Sequence, residues 1–409
     1  MTRRTTRLTA PGEVGYASAR VRKIMSQDLI SRRTVLGGAG CLAGLAALPA
    51  GAAGRAERLQ VTKVETFRVA VPMQSDIVHS PEIVEEDFVM VPKIILKVHT
   101  DSGIVGVGET GRGENLSRVR RNADFVTGKN IFDFNLTRLE LDNGSGYAAF
   151  EMAFYDIVGK AVGWPVYRLL GGLAQRRVLV GYWCGRKNPT DMRRVAQRAL
   201  KGNFTSIKIK CKQGDPVVKA VEAIRNEAPQ IKVIVDPNTR YGTYANFLPV
   251  AKALDALGNV LVIEDPFDKS DFEGYRKLRG EVKCHVALHL GDAKSMIRAI
   301  RENACSVFNT GAGPSMASFV SNCYLAGAAG MPVWHGSSHD MGLSDATYLH
   351  SCAAAANCTL PSDILSFQRV DDLIVEPIEI RDSHAIVSDR PGLGVELDQD
   401  AVRRYEVKV

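Results

Sequence analysis

Two lysines stand two residues apart inside an apolar run, in the stretch TSIKIK. Lys208 and Lys210 alternate with Ile207 and Ile209, so in a strand both ammonium groups point to one face and both isoleucines to the other. A lysine can serve as a fixed cation or, once neutral, as a base. Because a lysine pair also occurs on the solvated face of an edge strand, the neighbouring strands must decide between these interpretations.

Four further apolar runs end in side chains that bind cations or protons. KVIVD ends at Asp236, VLVIE at Glu264, HVALH at His289 and PVWH at His335. Carboxylates combined with substrate oxygens and water are the ligands that Mg²⁺ prefers, and an imidazole can act as an acid or a base. One carboxylate after a strand is often only a helix N-cap. Their succession at strand ends predicts a functional site that binds Mg²⁺.

The order of these runs predicts the scaffold that brings them together. From Arg177 onward, short apolar runs alternate with helical segments over about 200 residues, which is typical of a parallel βα barrel. In such a barrel the active site lies at the carboxyl ends of the strands. The alternative, a doubly wound sheet, usually has a Gly-rich phosphate loop after a strand, and none is seen here.

A different pattern precedes the barrel. From residue 59 to about residue 108 the sequence is strand-like, with a hairpin turn predicted at TDSG. From Asn122 to Leu170 the apolar period becomes helical. These two patterns predict an α+β module in front of the barrel.

Charge and composition exclude some functions. The chain has 409 residues, of which 45% are hydrophobic and 24% charged, as in an ordinary soluble globular protein. Its net charge is +7, but residues 1–54 hold eight Lys or Arg against two acidic residues and so account for six of these charges. The remainder is nearly neutral, which argues against nucleic acid as a partner.

The basic leader has a pattern of its own. Arg32 and Arg33 precede an apolar run of small residues with an Ala-rich exit, a layout typical of a twin-arginine export signal. The run is too short and too rich in Gly and Ala to span a membrane. The leader therefore predicts a periplasmic protein, or a cytoplasmic one if it is only a basic disordered segment. Met25 is an alternative start.

The motifs after residue 59 resemble the enolase superfamily of the mandelate racemase/muconate lactonizing enzyme type. The resemblance rests on the K-x-K pair, Asp236, Glu264, the helical stretch AFEMAFYDIVGKAVGWPVYRLLGG and the closing PGLGVELD. It implies an α/β fold, a (β/α)7β modified TIM barrel with an N-terminal α+β capping domain. The domains predicted on this basis are a leader, 1–54; a capping domain, 55–175, to which 370–409 returns; and a barrel, 176–369.

Within this superfamily the sequence most resembles the glucarate-dehydratase-like branch. The segments VDPN, EDP and HGSSHDMGLSDATYLHSCAAA carry this resemblance. It implies that Lys210 is the base, that Lys208 polarises the substrate carboxylate and that His335 is a second acid or base facing the lysines across the barrel. Asp363 is expected near the substrate at the eighth strand. Asn238, His339 and His79 are further candidates for substrate binding.

The sequence departs from this branch at two places. His289 stands where the third metal ligand is usually Asn or Glu; Asp292 is the alternative, but it is typical of the N-cap of a helix beginning at GDAKSMIRAIREN. The carboxylate that orients the catalytic histidine in the branch is missing near Gly313, and the lysine of the lactonizing branch is absent from the same region.

The chemistry that the resemblance implies is removal of the proton α to a carboxylate of a small molecule, with Mg²⁺ as cofactor. Elimination of a β-hydroxyl from a sugar acid would make the protein a dehydratase, and we favour this. Return of the proton to the opposite face would make it a racemase or epimerase of a 2-hydroxy or amino acid derivative. A metal-binding but inactive relative, or a binding protein for acids, is the alternative outside catalysis. The resemblance also implies a homo-oligomer.

Overall fold

A computed structural model of the chain describes residues 58–83, 89–141, 146–311 and 315–407. The predicted leader, 1–54, lies outside these described residues, and so does Gly313. The export signal and the location that depends on it therefore stay predictions.

The N-terminal module is an antiparallel sheet covered by helices. Its three strands pair in chain order, β1–β2–β3, and the predicted hairpin turn lies between the second and the third, where Gly103 has a φ of +81°. The strands are β1 (Val61–Pro72), β2 (Met90–Thr100) and β3 (Val105–Glu109). The helices are α1 (Ser75–Val78), α2 (Leu116–Val126), the short 3₁₀ turn Ile131–Asp133, α3 (Tyr147–Val162) and α4 (Val166–Leu169).

Glycines in β3 allow α3 to lie directly on the sheet. A Cβ atom at Gly108 would stand 1.9 Å from the carbonyl oxygen of Ala149, so the strand and helix backbones touch there. We expect Gly108→Ala to lower the free energy of unfolding by about 1–3 kcal/mol, because strand or helix must move apart to admit the methyl group. Denaturant unfolding measures the change.

The matched control is Gly280→Ala in a barrel helix, where a Cβ would meet nothing within 4 Å. Alanine favours helix over glycine, so this variant should gain up to about 1 kcal/mol. An unchanged stability of Gly108→Ala would contradict the close packing of α3 on β3.

The second module is a parallel barrel. Seven strands pair in the order β5 to β11, and every pairing is parallel. They are β5 (Tyr182–Cys184), β6 (Ser206–Lys210), β7 (Lys232–Asp236), β8 (Val260–Glu264), β9 (His285–His289), β10 (Val307–Asn309) and β11 (Val333–Trp334). Between and after them run α5 (Pro189–Lys201), α6 (Val217–Glu227), α7 (Tyr244–Ala256), α8 (Phe272–Glu281), α9 (Ala293–Arg301), α10 (Met316–Ala328) and α11 (Gly342–Ala354).

The segment that follows α11 closes the barrel. The amide of Leu360 donates to the carbonyl of Val333, and on the other side the amide of Gly181 donates to the carbonyl of Ser362. Isolated parallel bridges, Val333 with Cys358 and Val180 with Ser362, lie at the same two junctions. The segment therefore takes the place of an eighth strand, and the predicted (β/α)7β fold with its capping module is confirmed.

One predicted strand is divided in the structure. RVLVGYW, the first of the apolar runs that begin at Arg177 and predict the barrel, contributes only β5 to it. The preceding β4 (Arg177–Leu179) pairs with a C-terminal hairpin of β12 (Ile380–Arg381) and β13 (His384–Ile386). The pattern of apolar residues does not separate these two strands, because Val178 of β4 is buried just as the residues of β5 are.

The C-terminal segment also reaches the capping sheet. After α12 (Gln399–Arg404), the carbonyl of Tyr405 accepts from the amide of Ala70, and the amide of Val407 donates to the carbonyl of Arg68. These bonds attach the chain end to β1. The exact domain boundaries proposed from the sequence stay predictions.

Candidate active site

The strand register places both lysines inside the barrel. Parallel pairing aligns Lys208 with Ile234 and Lys210 with Asp236. Ile234 belongs to a small interior cluster that also contains Val262, Ala287, Val307 and Trp334. Because paired residues of neighbouring strands share a face, Lys208 and Lys210 point toward the barrel axis. The two lysines of this buried strand therefore face the mouth of the barrel and not the solvent at a sheet edge.

Lys208 is surrounded by carboxylates. Its Nζ lies 2.8 Å from Glu264, 3.1 Å from Asp363 and 3.3 Å from Asp236. Burial opposes the charged form, but the three carboxylates outweigh it and raise the pKa of Lys208 well above its usual range. Lys208 is therefore a permanent cation at the strand ends. Lys210 contacts Asp236 and is the second ammonium group of the site.

Glu264 and His289 form the part of the site that suits a cation. Glu264 is fully buried, and its Oε1 lies 3.6 Å from Nδ1 of His289. Burial is the main reason why the pKa of His289 is well below its usual value, so the imidazole is neutral. Its Nε2 atom is buried without a hydrogen-bond partner. A neutral imidazole and buried carboxylates fit a divalent cation.

Asp265 lies beside this pair and was not among the site residues predicted from the sequence. Single ligand atoms of Glu264, Asp265 and His289 all lie within 4.8 Å of one another. Asp265 is already paired with Lys269 at 2.7 Å, and its Oδ1 accepts the backbone amide of His289 at 2.9 Å. These contacts make it a residue that holds His289 in place.

Asp292, the alternative to His289 as third metal ligand, caps a helix instead. Asp292 caps α9, where its Oδ1 accepts the backbone amide of Ser295 at 2.8 Å. The N-cap interpretation of Asp292 is thus confirmed, and His289 is the residue that lies beside Glu264.

The structure does not bring His335 to this group. Asn309 pairs with Trp334, whose side chain belongs to the interior cluster, so the next residue points outward. The ring of His335 lies between Tyr348 and Phe319, with ring centroids 3.9 and 4.5 Å away. Burial lowers its pKa to about 4. The expectation that His335 faces the lysines across the barrel is therefore corrected: the strand register turns it toward the outer helices.

His339 is the histidine that the structure places at the mouth. Its ring lies edge-on to Trp183, with centroids 4.6 Å apart, and Trp183 pairs with Lys208 on the neighbouring strand. Burial, followed by the charge of Arg112, lowers the pKa of His339 to about 3, and the charge of Lys210 acts in the same direction. Its φ is +62°, a conformation that costs free energy in a residue with a Cβ and is common at functional sites.

The loop that carries His339 is anchored by a buried ion pair with the capping sheet. Lys93 of β2 contacts Asp340 and lies 3.3 Å from Glu109 of β3. Asp340 also accepts the amide of Ser338 and the hydroxyl of Tyr348. The capping module thus fixes the backbone on both sides of His339.

Glu109 also binds the first backbone amides of α11. Its carboxylate accepts the amides of Met341 and Ser344 at 2.7 and 3.0 Å, at the start of α11. The helix has no side-chain cap of its own. A carboxylate from the capping module therefore satisfies the first amides of a barrel helix.

Of the remaining candidates for substrate binding, Asp363 lies at the site, whereas the side chains of Asn238 and His79 do not contact the lysines. Asp363 reaches the site through Lys208, whereas Asn238 is exposed and supports Asp236 only with its backbone amide, 2.9 Å from Oδ1. His79 lines a separate cavity of about 370 Å³ beside Lys187, and none of the strand-end residues discussed above is among the described residues lining it. The structure therefore does not bring His79 to the lysines.

Sequence reasoning missed Asn309. It ends β10, is fully buried, donates to Glu264 Oε1 at 2.8 Å and accepts the amide of Gly336 at 3.0 Å. The signal was available, since Asn309 is the last residue of the run CSVFN and occupies the same strand-end position as the chosen residues.

Fold and site together define a class: a capped modified barrel with paired lysines and carboxylates at its strand ends. Comparison with known families agrees. Residues 63–171 match the mandelate racemase/muconate lactonizing enzyme N-terminal domain, and residues 191–401 match the enolase C-terminal domain-like family. The chain belongs to the enolase superfamily, of the mandelate racemase/muconate lactonizing enzyme type.

Individual relatives have several activities. N-succinylamino acid racemase of Thermus thermophilus is 33% identical over 64% of this chain and 71% of the relative. Arabinonate dehydratase of Saccharolobus solfataricus is 27% identical over 64% of this chain and 73% of the relative. The solved structure of N-succinyl Arg/Lys racemase from Bacillus cereus superposes with a TM-score of 0.75 at 23% identity, covering 85% of this chain and 98% of that one. Relatives of this chain are thus racemases and dehydratases.

No helix among the described residues is both long and apolar enough to cross a membrane. The homo-oligomer implied by the family stays a prediction.

Proposed function

We propose that the protein is a divalent-metal-dependent acid-sugar dehydratase, which removes the proton α to a carboxylate and eliminates a β-hydroxyl. The observation that carries this proposal is the common inward face of Lys208, Lys210, Asp236 and Glu264. The product would be a 2-keto-3-deoxy acid.

Each residue has a task that follows from its surroundings. Lys208, held charged by its carboxylates, binds a substrate carboxylate oxygen and stabilises the negative charge that grows there. Lys210 takes the α-proton in its neutral form. Asp236, Glu264 and His289 would hold Mg²⁺ or another divalent cation, which when bound supplies a Lewis acid beside the same carboxylate.

Elimination of the hydroxyl requires an acid. Lys210 carries the abstracted proton as an ammonium group and can return it to a hydroxyl that leaves from the same face. The electron pair of the broken Cα–H bond forms the new double bond as the C–O bond breaks, so hydroxide leaves as water. The enol then becomes the 2-keto acid by taking up a solvent proton at the former β-carbon while its hydroxyl proton is released to solvent.

Racemisation or epimerisation is a second candidate, which the position of His339 supports. Its ring is buried against Trp183 beside the strand of Lys208, and the charge of Lys210 acts on it, so His339 is a second group of this site that could exchange a proton with a substrate. The racemase among the relatives agrees with this chemistry. Under this candidate the substrate is a 2-hydroxy or N-acylamino acid.

Proton NMR in D₂O tests both candidates. The full chain is incubated with Mg²⁺ or Mn²⁺ and a panel of sugar acids, 2-hydroxy acids and N-succinylamino acids. Loss of the α-proton signal together with a new 2-keto-3-deoxy product supports the dehydratase. Exchange with inversion and no new skeleton supports the racemase. No exchange on any member of the panel, with the cation bound, would leave the inactive or acid-binding relative as the better assignment.

Two histidine variants separate the roles of His339 and His335. His339→Asn should lower the rate of racemisation by about 10²–10⁴-fold. The rate of elimination through Lys210 should stay within a small factor of the wild-type rate. His335→Asn should mainly change stability, since its ring lies between Phe319 and Tyr348. NMR exchange rates and denaturant unfolding of both variants check this. Loss of exchange in His335→Asn at unchanged stability would return His335 to the active site.

A further inference from the structure

His289 stands at the strand end where the family resemblance implies a third metal ligand with a carboxylate or amide oxygen. His289 ends β9, and register aligns it with Asn309, whose amide contacts Glu264. The imidazole therefore stands on the inward face of the barrel, next to a carboxylate of the site. Its Nδ1 is 3.6 Å from Glu264 Oε1.

The backbone of His289 is fixed on both sides. Its amide donates to Asp265 Oδ1 at 2.9 Å, and its carbonyl accepts from Nζ of Lys269 at 3.0 Å. Lys269 and Asp265 are themselves an ion pair. These contacts hold the residue at the strand end, as the residues around a metal ligand commonly do.

The side chain, by contrast, has an unused donor atom. Nε2 of His289 is buried and has no hydrogen-bond partner, whereas Glu264 Oε2 is paired with Lys208 Nζ at 2.8 Å. A buried imidazole nitrogen without a partner costs free energy, which a ligand bound there would recover.

The donor set determines which cation is suited. Mg²⁺ requires hard oxygen ligands in near-octahedral geometry and releases its waters reluctantly. Among the first-row transition ions imidazole suits Fe²⁺, Ni²⁺, Cu²⁺ and Zn²⁺ best, while Mn²⁺ shares with Mg²⁺ a preference for oxygen but accepts a nitrogen ligand more readily than Mg²⁺ does. Two carboxylates and one imidazole therefore favour these ions more strongly than an all-oxygen set would.

We propose that His289 ligates the cation directly through a ring nitrogen, and that this residue makes the site select a first-row transition ion such as Mn²⁺ over Mg²⁺. The inference rests on the proposed function only in requiring a cation between Glu264 and Asp236. It adds that His289 binds the cation directly through a ring nitrogen, and it adds the ion selectivity that follows.

Electron paramagnetic resonance of bound Mn²⁺ tests the proposal on the metal-stripped full chain. Pulsed measurements detect a directly bound ¹⁴N, and competition with Mg²⁺ gives the ratio of the two affinities. We expect a ¹⁴N coupling in the wild type that is absent in His289→Asn. We also expect the Mn²⁺/Mg²⁺ affinity ratio to fall by at least about 10-fold in that variant. His285→Asn, at the other end of β9 with Nδ1 beside Ser306, is the matched control and should keep both properties.

Other outcomes would overturn the proposal. Mn²⁺ and Mg²⁺ binding without a ¹⁴N coupling in the wild type would show an all-oxygen site and remove the inference, while leaving the proposed function intact. An unchanged affinity ratio in His289→Asn would do the same. If neither ion binds the wild type, the proposed function fails together with the inference. Because the wild-type spectrum alone decides whether nitrogen is bound, a variant that fails to fold does not leave the question open.

Discussion

Lys210→Ala is expected to lower the rate of α-proton exchange by about 10²–10⁴-fold, the usual contribution of a general base. Lys210 ends β6 on the inward face, in contact with Asp236, and no second residue of the proposed mechanism takes the proton on that side. Substrate binding should change less, because Lys208 and the metal ligands that hold the carboxylate remain. NMR exchange rates at saturating substrate, compared with the Michaelis constant, separate the two effects.

Lys212→Ala is the control for this experiment. Lys212 follows the same strand and is exposed. Its removal alters the charge of the chain equally but should leave the exchange rate within about two-fold of wild type, as surface changes usually have little effect. Equal losses in both variants would mean that Lys210 acts only through the overall charge at the mouth, and the assignment of the base would be rejected.

Lys93→Met is expected to lower the free energy of unfolding by about 3–5 kcal/mol, because it leaves two carboxylates buried without their cation. The Lys93 side chain is fully buried between Asp340 and Glu109. Burial opposes its charge, but these carboxylates outweigh burial and raise the pKa of Lys93, so the ion pair exists at neutral pH. Methionine fills a similar volume, so the loss reports the missing charge more than a cavity. Denaturant unfolding measures it.

Lys97→Met serves as the comparison. Lys97 lies on the same strand but is half-buried, and its ammonium group hydrogen-bonds only to Gln399 among the contacts described for it. We expect a change within about 0.5 kcal/mol there. Hydrogen exchange in Lys93→Met should also increase in residues 337–344, which Asp340 and Glu109 hold. A loss of stability below about 1 kcal/mol would show that the carboxylates find other partners, and the anchoring of His339 by the capping module would be withdrawn.

Much of the candidate site could be predicted from the residues that end the barrel strands. The alternation of apolar runs and helices predicted the barrel, and the rule that barrel sites lie at carboxyl ends selected Lys208, Lys210, Asp236, Glu264 and His289. The same rule applied to CSVFN would have found Asn309. Asn309 carries no ionisable group, and the ends of the apolar runs were selected for carboxylates, lysines and imidazoles.

The strand-end rule fails for His335. His335 follows an apolar run just as Glu264 does, yet β11 ends at Trp334, and the one-residue difference turns the imidazole to the outer helices. A strand of two residues gives no alternation from which the inward face can be read. Only the pairing of β11 with β10 shows which of its side chains point into the barrel.

The sequence by itself determined the architecture, the family and the inward-facing lysines and carboxylates, because these depend on local periodicity and on a strand-end rule that holds for every parallel barrel. The tertiary structure decided which histidine reaches the mouth, that Asp265 and Lys269 hold His289, and that Lys93 and Glu109 anchor the loop of His339. The contacts of Lys93 and Glu109 with the loop of His339 join residues more than 200 positions apart, those of Asp265 and Lys269 with His289 join residues 24 and 20 positions apart, and the placement of the histidines depends on a one-residue register. Neither a long-range contact nor a register leaves a periodic signal in the chain, so both become visible only when the strands have paired.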